Sequence, residues 1–232
     1  DLRGGISFIK SFYLRYYEFV WGYGSAFSGR RLFFYVTPFY KAFTISSLLA
    51  LLYYLLVKII NPGEYGGIIA PNVLILAFLS TTGIYSLSQE RPWITFTSLD
   101  IGEYLSRKVL IKTLQTGLLS LPFLVTDYFL GSPSMGLALF FGVSLGYFLT
   151  SYMASKYNPI QFRGEVYNYR AGSGMLLVIF VDYLCIGITS LSGITIVSSL
   201  IYGFFSLLVI LLLSRKKEWE KIGLSLIEKG FV

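Results

Sequence analysis

Long apolar runs dominate this chain and alternate with short polar or basic stretches. The runs have the length of membrane helices, because about 20 residues at about 1.5 Å each cross a hydrocarbon core of roughly 30 Å. They are continuous, as in Leu207–Leu213, and do not show the alternation typical of a barrel strand. The pattern predicts six helical spans, at about 42–60, 68–88, 109–130, 135–154, 173–190 and 194–213.

Basic residues lie almost entirely outside these runs. All but one of the 19 Lys and Arg residues fall in four clusters, within 3–41, 91–112, 156–170 and 215–229, and the exception is Lys58. The three turns midway between clusters carry no basic residue. Because loops rich in Lys and Arg stay in the cytoplasm, the distribution predicts three helical hairpins in the cell membrane, with both termini cytoplasmic.

The segments flanking the spans complete the predicted organisation. Residues 1–41 form a cytoplasmic interfacial arm, in which apolar residues recur every three or four positions, as in an amphipathic helix lying on the membrane. The part from Gly22 to Pro38 is predicted to be irregular. Such an arm is either a surface anchor or an element that transmits motion. The six-helix domain 42–213 has cytoplasmic loops at 89–108 and 155–172, and residues 214–232 form a basic cytoplasmic tail.

Composition supports an all-α integral membrane protein. The chain is 55% hydrophobic and 13% charged, whereas soluble domains have about 25% charged residues. Its net charge of +7 is confined to loops beside apolar spans, which favours contact with lipid headgroups over nucleic acid. Histidine is absent, so the usual metal ligand and general base are missing. We therefore predict no metal site, no catalytic residue and no cofactor bound by this chain.

The connection after the second span is the most informative polar stretch. Glu90 and Arg91 follow the span, and a short helix is predicted from about Asp100 to Lys108. Ser98 or Asp100 can cap its first turn by accepting free backbone N–H groups, and Glu103 lies near the positive end of the helix dipole. The plainest interpretation is a solvated loop whose charges only set the topology.

This layout resembles the membrane subunits of the type-two ABC exporter family. In that family a span ends in a Glu-Arg-like pair, a short cytoplasmic helix follows, and the chain then enters the third span. The resemblance extends to six spans with cytoplasmic termini, an interfacial arm, a polar loop after the fourth span, and Trp219 in a closing basic tail. It departs where the Glu-Arg pair runs into Pro92 and Trp93, and in the short turn after the first span.

The resemblance implies a permease subunit that couples ATP hydrolysis to export. Glu90, Arg91, Asp100 and Glu103 would then contact a separate ATP-binding cassette subunit, and a second membrane subunit would face this one across the export path. The chain has no phosphate-binding loop of the form GxxxxGK[ST], so ATP would be bound only by the partner. The alternative is a non-catalytic structural subunit of a larger membrane complex.

One acidic residue, Asp182, lies in the middle of a predicted span. An unpaired carboxylate there costs roughly 2.5–3.5 kcal/mol on insertion scales. Asp182 is therefore predicted to point into the bundle, where it either hydrogen-bonds to Tyr147 or Tyr202 or is protonated. It is either a substrate or proton site or a hydrogen bond between packed helices. Lys58, Lys112 and Asp127 lie nearer the span ends and are predicted to be interface anchors.

Overall fold

The fold is a bundle of helices that also contains two short strand hairpins. A computed structural model describes residues 26–28, 31–33, 39–60, 66–85, 100–157, 161–163, 166–168 and 173–228. The helices in these residues are α1 (Phe39–Ile60), α2 (Gly66–Thr81), α3 (Ile101–Leu119), α4 (Leu121–Phe129), α5 (Pro133–Tyr157), α6 (Ser173–Ser192), α7 (Ile196–Leu213) and α8 (Lys216–Glu228).

Five helical stretches in the described chain are long and apolar enough to cross a membrane. They are residues 39–59, 101–129, 133–157, 174–192 and 196–213. The multi-pass, helical membrane class predicted from the apolar runs is thus confirmed. The second predicted span, 68–88, is represented by a shorter apolar helix, because α2 passes into a 3-10 turn at Thr82–Tyr85.

Helix α5 is the centre of the bundle. It packs against α2, α3, α4, α6 and α7, and 67% of its apolar stretch is buried inside the protein. The corresponding fraction is only 22% in α1 and in α6. The outer helices therefore direct long rows of Leu, Ile and Phe away from the protein, as expected where lipid or another membrane protein takes the place of water.

Glycines let the helices approach α5 closely. The Gly142-x-x-x-Gly146 motif is a helix contact, as a small-x-x-x-small pattern permits, although its two glycines meet different helices. A Cβ on Gly142 would lie 2.7 Å from Cγ2 of Thr189 on α6, and a Cβ on Gly146 would lie 2.8 Å from Cβ of Ser80 on α2. Larger residues at either position would separate these helices.

The third predicted span, 109–130, differs from expectation. Helix α3 begins at Ile101, so the segment predicted as a separate short helix and a loop is the first two turns of a continuous helix. Tyr104 and Leu105 are buried there, and this packing extends the helix beyond the apolar run. The stretch then breaks at Ser120 because Pro122, in the first turn of α4, lacks the N–H that would continue the backbone ladder.

The remaining connections agree in part with the sequence. Of the turns predicted midway between the basic clusters, the one between α4 and α5 and the one between α6 and α7 lie within the described residues and are present. The α4–α5 turn contains Gly131 with a φ of +83°, which glycine adopts without a Cβ penalty. A capping box at Thr195 and Ser198 begins α7. Strands β1 (Ala26–Ser28) and β2 (Arg31–Phe33) pair within the stretch predicted to be irregular.

Strands β3 (Gln161–Arg163) and β4 (Val166–Asn168) form a second hairpin, within the predicted loop 155–172. The two hairpins contact each other through β2 and β4. The predicted amphipathic helix at the start of the arm lies outside the described residues. The segment predicted as a basic tail, 214–232, contains a helix, α8.

Candidate functional site

The first candidate site is the corner between the start of α3, from Asp100 to Lys108, and the whole of α8. We call it the α3–α8 corner. Asp100 is the N-cap of α3: its side chain accepts a hydrogen bond from the backbone N–H of Gly102 at 3.1 Å. The predicted cap at this position is thereby confirmed. Glu103 in the first turn forms an ion pair with Arg107 one turn later.

An ion pair joins the two helices of the corner. The ammonium of Lys216 lies 2.6 Å from a carboxylate oxygen of Asp100. The hydrogen bond from Lys216 holds the pKa of the Asp100 carboxyl below its ordinary value, and the same bond raises the pKa of Lys216. Both groups are consequently charged at neutral pH. Asp100 thus binds α8, and its carboxylate is already occupied within this chain.

Close backbone approach holds α8 against α3. A Cβ on Gly102 would lie 2.7 Å from the carbonyl oxygen of Lys216 and 2.8 Å from the backbone nitrogen of Glu220. A side chain at position 102 would therefore push α8 away. Further along, the Ser106 hydroxyl donates a hydrogen bond to the carbonyl of Ser214, in the link between α7 and α8.

Trp219 anchors α8 in the bundle. Its side chain is fully buried, and its indole N–H donates to the carbonyl of Leu213 at 3.0 Å, satisfying a backbone acceptor at the end of α7. Its ring meets Phe148 and Tyr152 of α5 edge to face, with ring centroids 6.3 Å and 5.8 Å away. The sequence pointed to Trp219 only as part of the family resemblance, and its packing role was not predicted.

The predicted coupling residues are only partly described. Asp100 and Glu103 lie three residues apart at the start of α3, where Glu103 is partly exposed. Glu90 and Arg91 lie outside the described residues. Both described acids are engaged within the chain, because Asp100 pairs with Lys216 of α8 whereas Glu103 pairs with Arg107 of its own helix and makes no ion pair with α8.

The second candidate site is Asp182 in the middle of α6. Its side chain is 7% exposed and accepts a hydrogen bond from the Ser80 hydroxyl of α2. The predicted inward orientation of Asp182 is therefore confirmed. Tyr202, one of the two tyrosines predicted as its partner, was the wrong choice, because the Tyr202 hydroxyl pairs with Thr189 at 3.0 Å. The geometry matches a hydrogen bond between packed helices, and a substrate role stays a prediction.

A third polar cluster surrounds Asp127, which the sequence placed among the interface anchors. That assignment was wrong, because Asp127 is completely buried. Its carboxylate accepts hydrogen bonds from the Tyr53 hydroxyl of α1 at 2.8 Å and from the Asn72 amide of α2 at 2.9 Å. Lys112 is likewise buried rather than at the interface, with 5% of its surface exposed.

Helix α2 provides a partner for each buried carboxylate. Asn72 binds Asp127 and Ser80 binds Asp182, two turns apart on the same helix. The Ser80 carbonyl also accepts from Thr150 of α5 at 2.7 Å. Polar residues inside the apolar run 66–81 were a usable signal that the sequence analysis missed, because such residues face protein rather than lipid.

Hydrogen bonds and ion pairs between helices are the polar contacts that these sites show in the described residues. These residues contain no group of three or more Cys, Asp or Glu side chains that could hold a metal ion. No protein-family model, curated protein or solved structure matches this chain.

Proposed function

We propose that this protein is the transmembrane permease subunit of an ABC-type exporter, in which a separate ATPase subunit binds and hydrolyses ATP. Under this proposal the shorter helix Ile68–Ile84 is the sixth span, and the termini and the α3–α8 corner face the cytoplasm. The apolar outer faces of α1, α6 and α7 meet lipid and a second membrane subunit. The exported substrate is not specified by these features.

The observation that carries the proposal is the continuity of α3. Its first turns lie at the basic end of the bundle, beside Lys216, and the same helix continues without a break to Leu119 inside the apolar core. A force applied to such a helix moves its buried part as a rigid body, whereas a flexible loop would absorb the displacement. Continuity therefore suits a coupling element better than the separate short helix that the sequence predicted.

The α3–α8 corner strengthens this coupling role. Trp219 ties α8 to α5 and α7, while Asp100 and Gly102 tie α8 to α3. A displacement at the corner would consequently reach three spans together. Glu90, Arg91 and Glu103 are the proposed contacts with the ATPase, and Asp100 takes an indirect part by holding α8 in place.

Co-purification tests the proposal. The tagged full-length protein should retain an ATPase carrying a phosphate-binding loop when it is extracted gently from its native membrane. Replacing Glu90 and Glu103 together by Lys should weaken that association at least tenfold while the membrane subunit stays folded, because the partly exposed ion pair between Glu103 and Arg107 is worth only about 0.3–0.5 kcal/mol. Glu228→Lys, an exposed charge reversal at the far end of α8, is the matched control.

Two results would redirect the interpretation. If no ATPase accompanies the wild-type protein, the non-catalytic structural subunit becomes the better assignment. If an ATPase is retained equally by wild type, the double variant and Glu228→Lys, the exporter assignment survives but Glu90 and Glu103 are not its coupling contacts.

A further inference from the structure

The buried cluster around Asp127 has features that helix packing does not require. Asp127 on α4, Tyr53 on α1 and Asn72 on α2 are 0%, 6% and 1% exposed, respectively. Both Tyr53 and Asn72 donate to the Asp127 carboxylate. The cluster thus joins three helices through one acidic group inside an apolar bundle.

The amide of Asn72 is only half used. Its nitrogen donates to Asp127, but its oxygen, Oδ1, has no hydrogen-bond partner in the described structure although it is buried. An unpaired buried acceptor is uncommon, because it loses its bonds to water without replacement. The two polar atoms of one amide are separated by about 2 Å, so a 180° turn of the amide brings Oδ1 to the place where the nitrogen now meets the carboxylate.

The described helices around Asp127 present no cationic side chain to it. From α1 it meets Tyr53, while Lys58 is exposed with its ammonium over the Tyr54 ring. Helix α2 contains no charged residue, and α5 contributes the backbone at Gly136, with its one charged residue, Lys156, at the far end. On α3 the charged side chain closest to Asp127 in sequence is Lys112, which is separated from Asp127 by the break at Ser120.

We infer that Asp127 and Asn72 form a buried proton-binding site. A proton from water adds to the Asp127 carboxylate. The Asn72 side-chain amide then turns by 180°, and the new O–H group of Asp127 donates a hydrogen bond to Oδ1 of Asn72. The amide presents N–H to the carboxylate and oxygen to the carboxylic acid, so one side chain serves both states. Release returns the proton to water and restores the present bonds, with no other reactant needed.

A metal ion fits the cluster less well. Hard cations such as Mg²⁺ or Ca²⁺ take about six or more oxygen ligands, whereas the described cluster offers the carboxylate, one amide oxygen and one hydroxyl. A proton needs a single acceptor at hydrogen-bonding distance. It also removes the negative charge that is otherwise buried in the bundle without a cationic partner.

The inference is independent of the exporter proposal, since it concerns only the contact between α1, α2 and α4. Infrared difference spectroscopy tests it on the full-length protein reconstituted in lipid vesicles, while the external pH is lowered stepwise with a proton carrier present. We expect a carbonyl-stretch band of a protonated, buried carboxylic acid to grow as pH falls. Asp127→Asn should abolish that band. Asn72→Leu should keep it but move it to higher wavenumber, because the acceptor is lost.

Asp182→Asn is the matched control, since it removes the other acid hydrogen-bonded to α2 and should leave the Asp127 band unchanged. If Asp127→Asn does not fold, Asn72→Leu alone decides the question, since an unshifted band contradicts the inference. The inference would also be overturned if Asp127→Asn showed the same pH-dependent carbonyl-stretch bands as wild type. A band that responds to sodium concentration at constant pH would overturn it too, because it would indicate a sodium site instead.

Discussion

Trp219 should determine whether α8 stays docked on the bundle. Its buried ring contacts Phe148 and Tyr152, and its N–H satisfies the Leu213 carbonyl. Replacing it by Ala removes the ring and leaves a cavity, a change that typically costs about 3–5 kcal/mol in a packed core. Since about 1.4 kcal/mol corresponds to tenfold, the equilibrium for detachment of α8 should rise by roughly 10² to several times 10³.

Trp219→Phe separates the two contributions of the indole. Phenylalanine keeps an aromatic ring for the edge-to-face contacts but cannot donate to Leu213. The lost hydrogen bond costs about 0.5–1.5 kcal/mol, so detachment should rise only about tenfold or less. Leu224→Ala, on the exposed side of α8, should leave detachment almost unchanged.

Limited proteolysis measures detachment directly. Trypsin cleaves after Lys216, Lys217 and Lys221, all of which lie in α8. We expect these bonds to resist cleavage while α8 is helical and docked. Under conditions where opening is fast relative to cleavage, the cleavage rate follows the equilibrium of opening. We expect the cleavage rate of Trp219→Ala to be far higher than that of Trp219→Phe, and the rate of Leu224→Ala to be close to that of wild type. Equal rates for Trp219→Ala and wild type would refute the anchoring argument.

Two further predictions concern the buried and capping acids. Asp100→Ala should destabilise α3 by about 1 kcal/mol through loss of its N-cap, while Asp100→Asn keeps the cap and loses only the ion pair. Because Lys216 lowers the pKa of Asp100 below 3.8 and Asp100 raises that of Lys216 above 10.5, the ion pair stabilises the corner between these limits and is lost beyond either. The difference in thermal stability between wild type and Asp100→Asn, measured as a function of pH, should therefore be constant across this pH window and fall outside it. A difference that is largest outside the window would contradict the prediction. The Asp182→Asn variant should assemble normally, because the amide oxygen still accepts a hydrogen bond from Ser80. The Asp182→Lys variant should not assemble, because a charged side chain at this depth costs roughly 2.5–3.5 kcal/mol. Normal size-exclusion profiles for both variants would argue against a buried Asp182.

Periodicity and charge were sufficient to predict the helical membrane class of this protein and the turns that precede α5 and α7. Continuous apolar runs in a chain that must satisfy its own backbone hydrogen bonds in lipid leave helices as the local solution. The Gly131 turn and the cap at Asp100 also follow from local chemistry, since each depends on residues within one turn of the helix end. Asp182 was predicted to point inward because the cost of exposing a carboxylate to lipid does not depend on the particular fold.

Which helices meet, and through which atoms, was decided by the tertiary structure. Asp127 looked like an anchor because it lies near the end of an apolar run, yet Tyr53 and Asn72, 74 and 55 residues away, enclose it. Helix α3 extends to Ile101 because α8, more than a hundred residues later, covers its first turns. Hydrogen bonds and close packing act over a few ångströms, so partners distant in sequence become visible only when the chain has brought them together.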